Sequence, residues 1–275
     1  MWFVSRLTTA MRLTAASVRL LRGEPRLVVL PAAGGLAAIA FAAIVFIMMS
    51  AGSLFGGIRG WIAVAVVYLV SAFSTAFFAA ALSHAVYERF RGNRPPIMAS
   101  VAVAWDRRWP LFIWALVAAV AGLVLRWFTQ SDSAISRIIG SAFAMGWLVA
   151  TFFVLPAIVF EDVFARGMFT RSVSIFKQTW GETLSTGLGL GIIGVVAGFV
   201  VLAIATTGAL ALGQLVALPS GVYVWSILGA VFAAYLFGRT VRTIVRTALY
   251  VYARDGVVPT GFSGFDFDTL DGRAG

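Results

Sequence analysis

The sequence predicts an all-α integral membrane protein with six transmembrane helices, arranged as three repeats of an interfacial amphipathic helix followed by a transmembrane hairpin. The chain of 275 residues is 61% hydrophobic and 12% charged, with a mean hydropathy of +0.95. Soluble domains usually contain about 25% charged residues. The chain also contains several apolar stretches of the roughly 20 residues that a helix needs to cross a bilayer. Arginine is concentrated in alternate loops between these stretches.

Six apolar stretches define the predicted spans. The first is too long for the apolar region of a cleaved signal peptide, so we expect it to be retained. The spans form one domain over residues 1–254, followed by a disordered cytoplasmic tail at 255–275 that could alternatively hold a short docking motif. The predicted spans are residues 27–50, 61–83, 110–128, 135–160, 184–207 and 222–250.

The distribution of positive charge predicts the orientation. Eighteen of the 21 lysines and arginines fall before span 1, in the loops after spans 2 and 4, or at and beyond the end of span 6. Because basic residues are retained on the cytoplasmic side, this distribution predicts a cytoplasmic-membrane protein with both termini in the cytoplasm. The three cations on the opposite side are Arg59, Arg126 and Arg137.

An internal repeat is predicted from three similar segments that precede spans 1, 3 and 5. Each contains a Ser-Val pair and an apolar stripe at helical spacing, which is typical of a helix lying in the membrane interface. The pairs are Ser17-Val18, Ser100-Val101 and Ser172-Val173. Spans 2 and 6 also end alike, with Tyr87, Arg89, Gly92 and Pro95 in one and Tyr252, Arg254, Gly256 and Pro259 in the other.

This layout resembles a loose group of uncharacterised prokaryotic six-span membrane proteins. It is also similar to the membrane domain that is fused to some glycerophosphodiester phosphodiesterases. The resemblance covers residues 1 to about 260 and rests on the hairpin layout and the Tyr-x-Arg…Gly…Pro helix ends. It implies a fold and a membrane location but no activity, because the catalytic part of those phosphodiesterases is a separate soluble barrel.

Few residues suggest catalysis, so we expect no enzyme, no cofactor and no metal. The sequence has no cysteine and one histidine, His84. His84 and Glu88 could form a proton relay, but an interfacial pair one helical turn apart is the simpler interpretation. No Asp, Glu, Lys or Arg lies at the centre of a predicted span, where functional ionisable groups usually lie. The span 2 residues Ser71, Ser74 and Thr75 are expected to form hydrogen bonds between helices.

Two groups of residues are predicted to have structural or binding roles. Gly187, Gly191, Gly194 and Gly198 form a stripe on span 5 that favours close helix packing. Arg239, Arg242 and Arg246 share one face of the sixth helix and form a predicted charge layer. Its counter-charge would come either from Glu161 and Asp162 at the end of span 4, together with Glu88, or from lipid phosphates, which arginine can bind bidentately. The alternative is that the three arginines only extend to the interface and have no partner.

These features favour a structural, scaffolding or lipid-interacting membrane protein. Its expected partners are anionic lipid head groups, other membrane proteins or a second copy of the chain, and not nucleic acid. The alternative is a small channel or transporter with a pore between the three hairpins, which would need a polar tunnel. A lipid-modifying membrane enzyme would need a clustered acid, base or metal site.

Overall fold

The computed structural model describes residues 14–52, 57–94, 97–130, 133–180, 207 and 220–262, and within these ranges the regular structure is helical. The first helix, α1, covers residues 14–23 and leads into a 3-10 turn at Pro25–Val28. The other helices are α2 (Val29–Ala51), α3 (Gly57–Phe90), α4 (Ile97–Asp106), α5 (Arg108–Thr129), α6 (Ala134–Thr151), α7 (Val154–Glu161), α8 (Arg166–Trp180) and α9 (Ser220–Asp255).

Four segments of the described chain are long and apolar enough to cross a membrane. They are Pro25–Ala51, Gly57–Phe90, Arg108–Phe128 and Ile135–Glu161, and they contain the first four predicted spans. Predicted span 5 and its glycine stripe, Gly187 to Gly198, lie outside the described residues. Predicted span 6 lies within α9. Six spans and a three-fold repeat therefore stay predictions, whereas four helical segments with the length and apolar composition of membrane spans are observed.

The predicted fourth span is broken into two helices. Residues 135–160 were expected to form one helix, but α6 ends at Thr151 and α7 begins at Val154. Pro156 explains the break, because a proline ring clashes with the carbonyl group four residues earlier, here that of Phe152. The chain then turns sharply, since Asp162 and Ala165 adopt positive φ angles of 54° and 48°. This turn directs α8 back against α6 and α7.

Most of the buried residues lie at one end of the helices. We call the part formed by residues 76–90 of α3, α7 and residues 236–251 of α9 the core layer. It is rich in fully buried small and aromatic side chains, including Ala81, Phe153 and Ile244. The remainder of α2, α3, α5 and α6 exposes large apolar side chains, such as Phe46, Trp61 and Leu123. A lipid environment accounts for this exposure, because these helices have no water-soluble face there.

The segments predicted as interfacial helices are helical. The described part of the first is α1, and the second and third are α4 and α8. The serine of each Ser-Val pair, at positions 17, 100 and 172, is completely buried. The three segments thus present equivalent residues to the protein interior, which supports the predicted repeat. Their placement along a membrane surface stays a prediction.

Residues 256–262 pack against the protein, although 255–275 were predicted to be a disordered tail. Thr260 Oγ1 donates a hydrogen bond of 2.6 Å to the Phe90 carbonyl oxygen at the end of α3. The Phe262 ring is buried and meets the Phe90 ring edge-on, with 5.7 Å between centroids. Gly92 and Gly256, which follow α3 and α9, have positive φ angles of 85° and 66°, as expected for helix C-caps.

Candidate functional site

Arg239 is the arginine of the α9 face that reaches furthest towards the membrane-spanning segments. Its Nη1 donates to the Tyr235 hydroxyl at 2.8 Å, and its Nη2 donates to the Thr75 carbonyl oxygen at 3.1 Å. Thr75 lies eight residues inside the predicted end of span 2 at Ser83, or about 12 Å along a helix at 1.5 Å per residue. A cation therefore reaches further into the bundle than the sequence suggested.

The depth of Arg239 matches the boundary between the two parts of the molecule. Residues of α3 become buried from Ser74 onwards, and residues of α9 become buried from Leu236 onwards. On the other side of this boundary, Tyr235 and Tyr68 are exposed. Arg239 thus lies where the core layer meets the lipid-exposed part of the helices.

Arg246 has an incompletely satisfied guanidinium group. Its Nε is buried and has no hydrogen-bond partner within the described part of the chain, although the side chain as a whole keeps partial exposure. Its Cζ lies 5.2 Å from the centre of the Phe152 ring. A ring face attracts a cation but supplies no net negative charge. Arg242, one turn away on the same helix, is exposed.

The carboxylates that were predicted as counter-ions contact other arginines. Glu161 accepts hydrogen bonds from Arg171 Nε and from the Tyr250 hydroxyl. Asp162 forms an ion pair with Arg107. In the described ranges, no ion pair joins Arg239, Arg242 or Arg246 to a carboxylate. The two carboxylates at the end of span 4 are therefore already paired with other arginines, and they do not neutralise the arginines of α9.

The Glu161 contacts join three helices. Glu161 ends α7, Arg171 belongs to α8 and Tyr250 belongs to α9. The hydrogen bond with Glu161 is the main cause that raises the pKa of the Arg171 guanidinium. Charge-assisted hydrogen bonds are about twice as strong as neutral ones. The Glu161 carboxylate thus holds α7, α8 and α9 together and is not an unpaired acidic group.

Arg254 packs against three aromatic rings that come from three different helices. Its Cζ lies 5.8 Å from the Tyr87 ring, 5.7 Å from the Phe160 ring and 5.6 Å from the Tyr250 ring. Its guanidinium also donates to both carboxylate oxygens of Asp255, at 2.7 Å each, and these bonds are the main cause that raises its pKa. We did not identify this cluster from the sequence, although the aromatic residues near the ends of spans 2, 4 and 6 were a visible signal.

The remaining polar candidates form structural contacts. The Ser100 hydroxyl and His84 Nδ1 share a hydrogen bond of 3.0 Å between α4 and α3. Ser74 Oγ donates to the Gly34 carbonyl oxygen at 3.1 Å, which is the helix–helix bond expected for this serine. Glu88 binds Asn93 and Arg91. The described residues contain no group of three or more histidine or acidic residues that could hold a metal ion.

Two cavities follow the α2–α3 hairpin. The first, of about 250 Å³, lies between α2, α3 and α9 and is lined by Arg239, Tyr235 and Thr75. The second, of about 620 Å³, lies further along the hairpin between residues 42–49 of α2 and 57–71 of α3. Ser71 lines both cavities. The first has charged and polar groups in its wall, whereas the wall of the second is mostly apolar.

The helices and their apolar surfaces define an α-helical membrane protein whose polar groups are mostly paired within the core layer. The chain belongs to a family of unknown function, DUF6159, whose family model matches residues 58–262. The match ends at Phe262, the residue that docks against Phe90. No curated protein and no solved structure shows significant similarity to the chain.

Proposed function

We propose that this protein is a multi-pass protein of the cytoplasmic membrane that has a structural, scaffolding or lipid-interacting role. In this proposal both termini are cytoplasmic, and the arginine face of α9 binds the phosphate groups of anionic lipids. The proposed face consists of Arg239, Arg242 and Arg246. Other membrane proteins or a second copy of the chain remain further candidate partners.

The buried Nε of Arg246, which has no hydrogen-bond partner in the described part of the chain, is the observation that supports this proposal most directly. Burying part of an unpaired charge is unfavourable, and the repulsion between neighbouring arginines adds to that cost. A lipid phosphate would supply negative charge and several acceptor oxygens, and arginine matches its geometry. The alternative anions, Glu161 and Asp162, already contact Arg171 and Arg107.

The packing of the described helices favours this role over a pore. A channel between the hairpins would need a polar tunnel. In the described part of the chain, apolar side chains such as Ala81, Phe153 and Ile244 fill the core layer, where such a tunnel would have to continue. A catalytic role also receives no support from the acidic residues near the core layer. Glu161 and Asp162 are engaged by arginines, and an engaged carboxylate is a poor general base.

The experiment is to replace Arg239, Arg242 and Arg246 together by glutamine and to measure binding of the purified protein to phosphatidylglycerol. Each basic residue near an anionic surface contributes about 1 kcal/mol, so we expect binding to weaken by about tenfold or more. Phosphatidylcholine serves as the neutral comparison lipid.

A matched control replaces Arg59, Arg126 and Arg137 by glutamine. This variant removes the same net charge from the opposite predicted side of the membrane. It should retain phosphatidylglycerol as the unaltered protein does. Equal retention by both triple variants would contradict the proposal that the α9 face binds anionic lipid.

A further inference from the structure

The two cavities follow each other along the α2–α3 hairpin, and we call this pair of cavities, with its charged end and its apolar end, the path. Arg239 and Tyr235 line the charged end, Ser71 lines both cavities, and Phe46 and Trp61 line the apolar end. Gly34 and Gly35 let Phe78 and Phe232 pack closely against α2 at the charged end. A Cβ atom at Gly35 would lie 3.0 Å from the Phe232 ring, so α9 could not approach α2 as closely.

Arg239 retains hydrogen-bonding capacity at the charged end. A guanidinium group has five N–H donors, and the structure engages one on Nη1 and one on Nη2. No carboxylate of the described chain pairs with Arg239. The bonds to Tyr235 and Thr75 fix the orientation of the guanidinium, so its remaining donors are pre-organised for an anion.

The apolar end is an open groove on the surface of the described helices. Phe46, Trp61 and Val64 line this cavity and keep 63%, 75% and 60% of their surface exposed. A ligand in this groove would therefore contact both helices while one side of it stays exposed to the bilayer. The wall is suited to a hydrocarbon chain, because its lining side chains are mainly alanine, valine, phenylalanine and methionine.

We propose that this path is a binding site for one anionic phospholipid, with its phosphate at Arg239 and one acyl chain in the groove between α2 and α3. This site rests on the proposed function, because its selectivity for anionic lipid comes from the same arginine face. What it adds is a defined position for the acyl chain. Charge and shape both select this occupant. A soluble phosphate would leave the apolar groove empty, and a zwitterionic lipid such as phosphatidylcholine would bring its own cation next to the phosphate and so weaken the attraction to Arg239.

The experiment uses phosphatidylglycerol with a diazirine group on one acyl chain, together with the full-length protein in neutral detergent micelles. After photolysis, we expect labelled peptides from residues 42–71. Unlabelled phosphatidylglycerol should compete with the probe, whereas phosphatidylcholine and inorganic phosphate should not. Arg239→Gln should lower labelling by about tenfold, since it removes charge-assisted hydrogen bonds to the phosphate.

Groove-filling variants provide a test that leaves the arginines intact. Ala42→Phe and Ala63→Phe place a ring inside the apolar cavity, because both alanines line it. Ala43→Phe and Ala65→Phe are matched controls, since these neighbouring alanines are exposed and do not line the cavity. The first two variants should lose labelling at residues 42–71, and the two controls should keep it.

The outcomes separate this site from the general arginine-face proposal. Labelling spread over all lipid-facing helices, or labelling that groove filling leaves unchanged, would overturn the site even if the triple arginine variant loses phosphatidylglycerol. Competition by phosphatidylcholine as strong as by phosphatidylglycerol would overturn the anionic selectivity. If the triple glutamine variant retains phosphatidylglycerol, the α9-face proposal fails, and the site fails with it, because Arg239 is one of the three replaced arginines.

Discussion

The backbone N–H of Phe153 donates a hydrogen bond of 3.0 Å to the Ser172 hydroxyl, which joins α8 to the break between α6 and α7. The break leaves backbone donors without partners inside the helix, and Phe153 is completely buried. Ser172 supplies the acceptor that a buried N–H requires. The proline that interrupts the span and the serine that compensates for the interruption therefore belong to one structural unit.

Ser172→Ala should lower the free energy of unfolding by about 1–3 kcal/mol, because the Phe153 N–H would stay buried without an acceptor. The measurement is unfolding of the purified protein in mixed micelles. Ser174→Ala is the matched control, since Ser174 lies on the same helix and is only partly buried. Equal losses in both variants would show that the bond contributes little.

The same contact illustrates what the sequence could predict. The first four spans were located because apolar length and charge patterning are properties of local sequence. The break at Phe152 was readable from Pro156 but was missed, because the apolar run continues through it without a polar residue. Ser17, Ser100 and Ser172 were identified as equivalent positions, and their common burial supports the predicted repeat.

The polar contacts of the site could not be predicted in the same way. Glu161 pairs with Arg171 because positive φ angles at Asp162 and Ala165 reverse the chain between them. Neither residue is a glycine, so this turn has no clear signal in the sequence. The depth of Arg239 was also missed. It depends on how far α9 is shifted along its axis relative to α3, and the position of the arginine within its own helix does not show this shift.

The Glu161–Arg171 pair should be thermodynamically coupled. Glu161→Gln and Arg171→Gln should each destabilise the protein, and the double variant should lose less than the sum of the two. A charged hydrogen bond contributes about 1.5–3 kcal/mol, and partial exposure of both side chains places the expected coupling near 1 kcal/mol. A double-mutant cycle on unfolding in micelles measures this coupling. Additive losses would show that the contact is energetically unimportant.

The segment after α9 should stabilise the C-terminal end of α3. A chain that ends after Phe262 should unfold like the complete protein, whereas a chain that ends after Gly256 should expose the Phe90 ring. Hydrogen exchange at the last turn of α3 should then be faster, because the Thr260 bond to Phe90 and the Phe262 contact are lost. Unchanged exchange in the shorter chain would show that residues 257–262 do not protect this turn.

The charge distribution makes a separate prediction about topology. Reporter fusions after Gly57 and Gly213 should be located outside the cytoplasm, and a fusion after Gly275 should be located inside. The reporter pair should be one enzyme active only outside and one active only inside, so that every position gives a positive signal. An external C-terminus would refute the six-span topology with both termini in the cytoplasm.

The last prediction concerns Arg246, whose buried Nε has no partner in the described chain. Arg246→Met should leave stability in neutral detergent unchanged or raise it, because an unpaired buried charge is replaced by an apolar side chain of similar length. The same variant should gain less thermal stability from added phosphatidylglycerol than the unaltered protein, since it has one phosphate-binding group fewer.

Arg242→Met is the matched control for this comparison. Arg242 is exposed on the same helix, so its replacement should change stability in neutral detergent by no more than about 0.5 kcal/mol. The distinguishing result is the sign of the Arg246 effect. If Arg246→Met clearly destabilises the protein in neutral detergent and phosphatidylglycerol stabilises it as much as the unaltered protein, the guanidinium serves packing against Phe152 and binds no lipid phosphate.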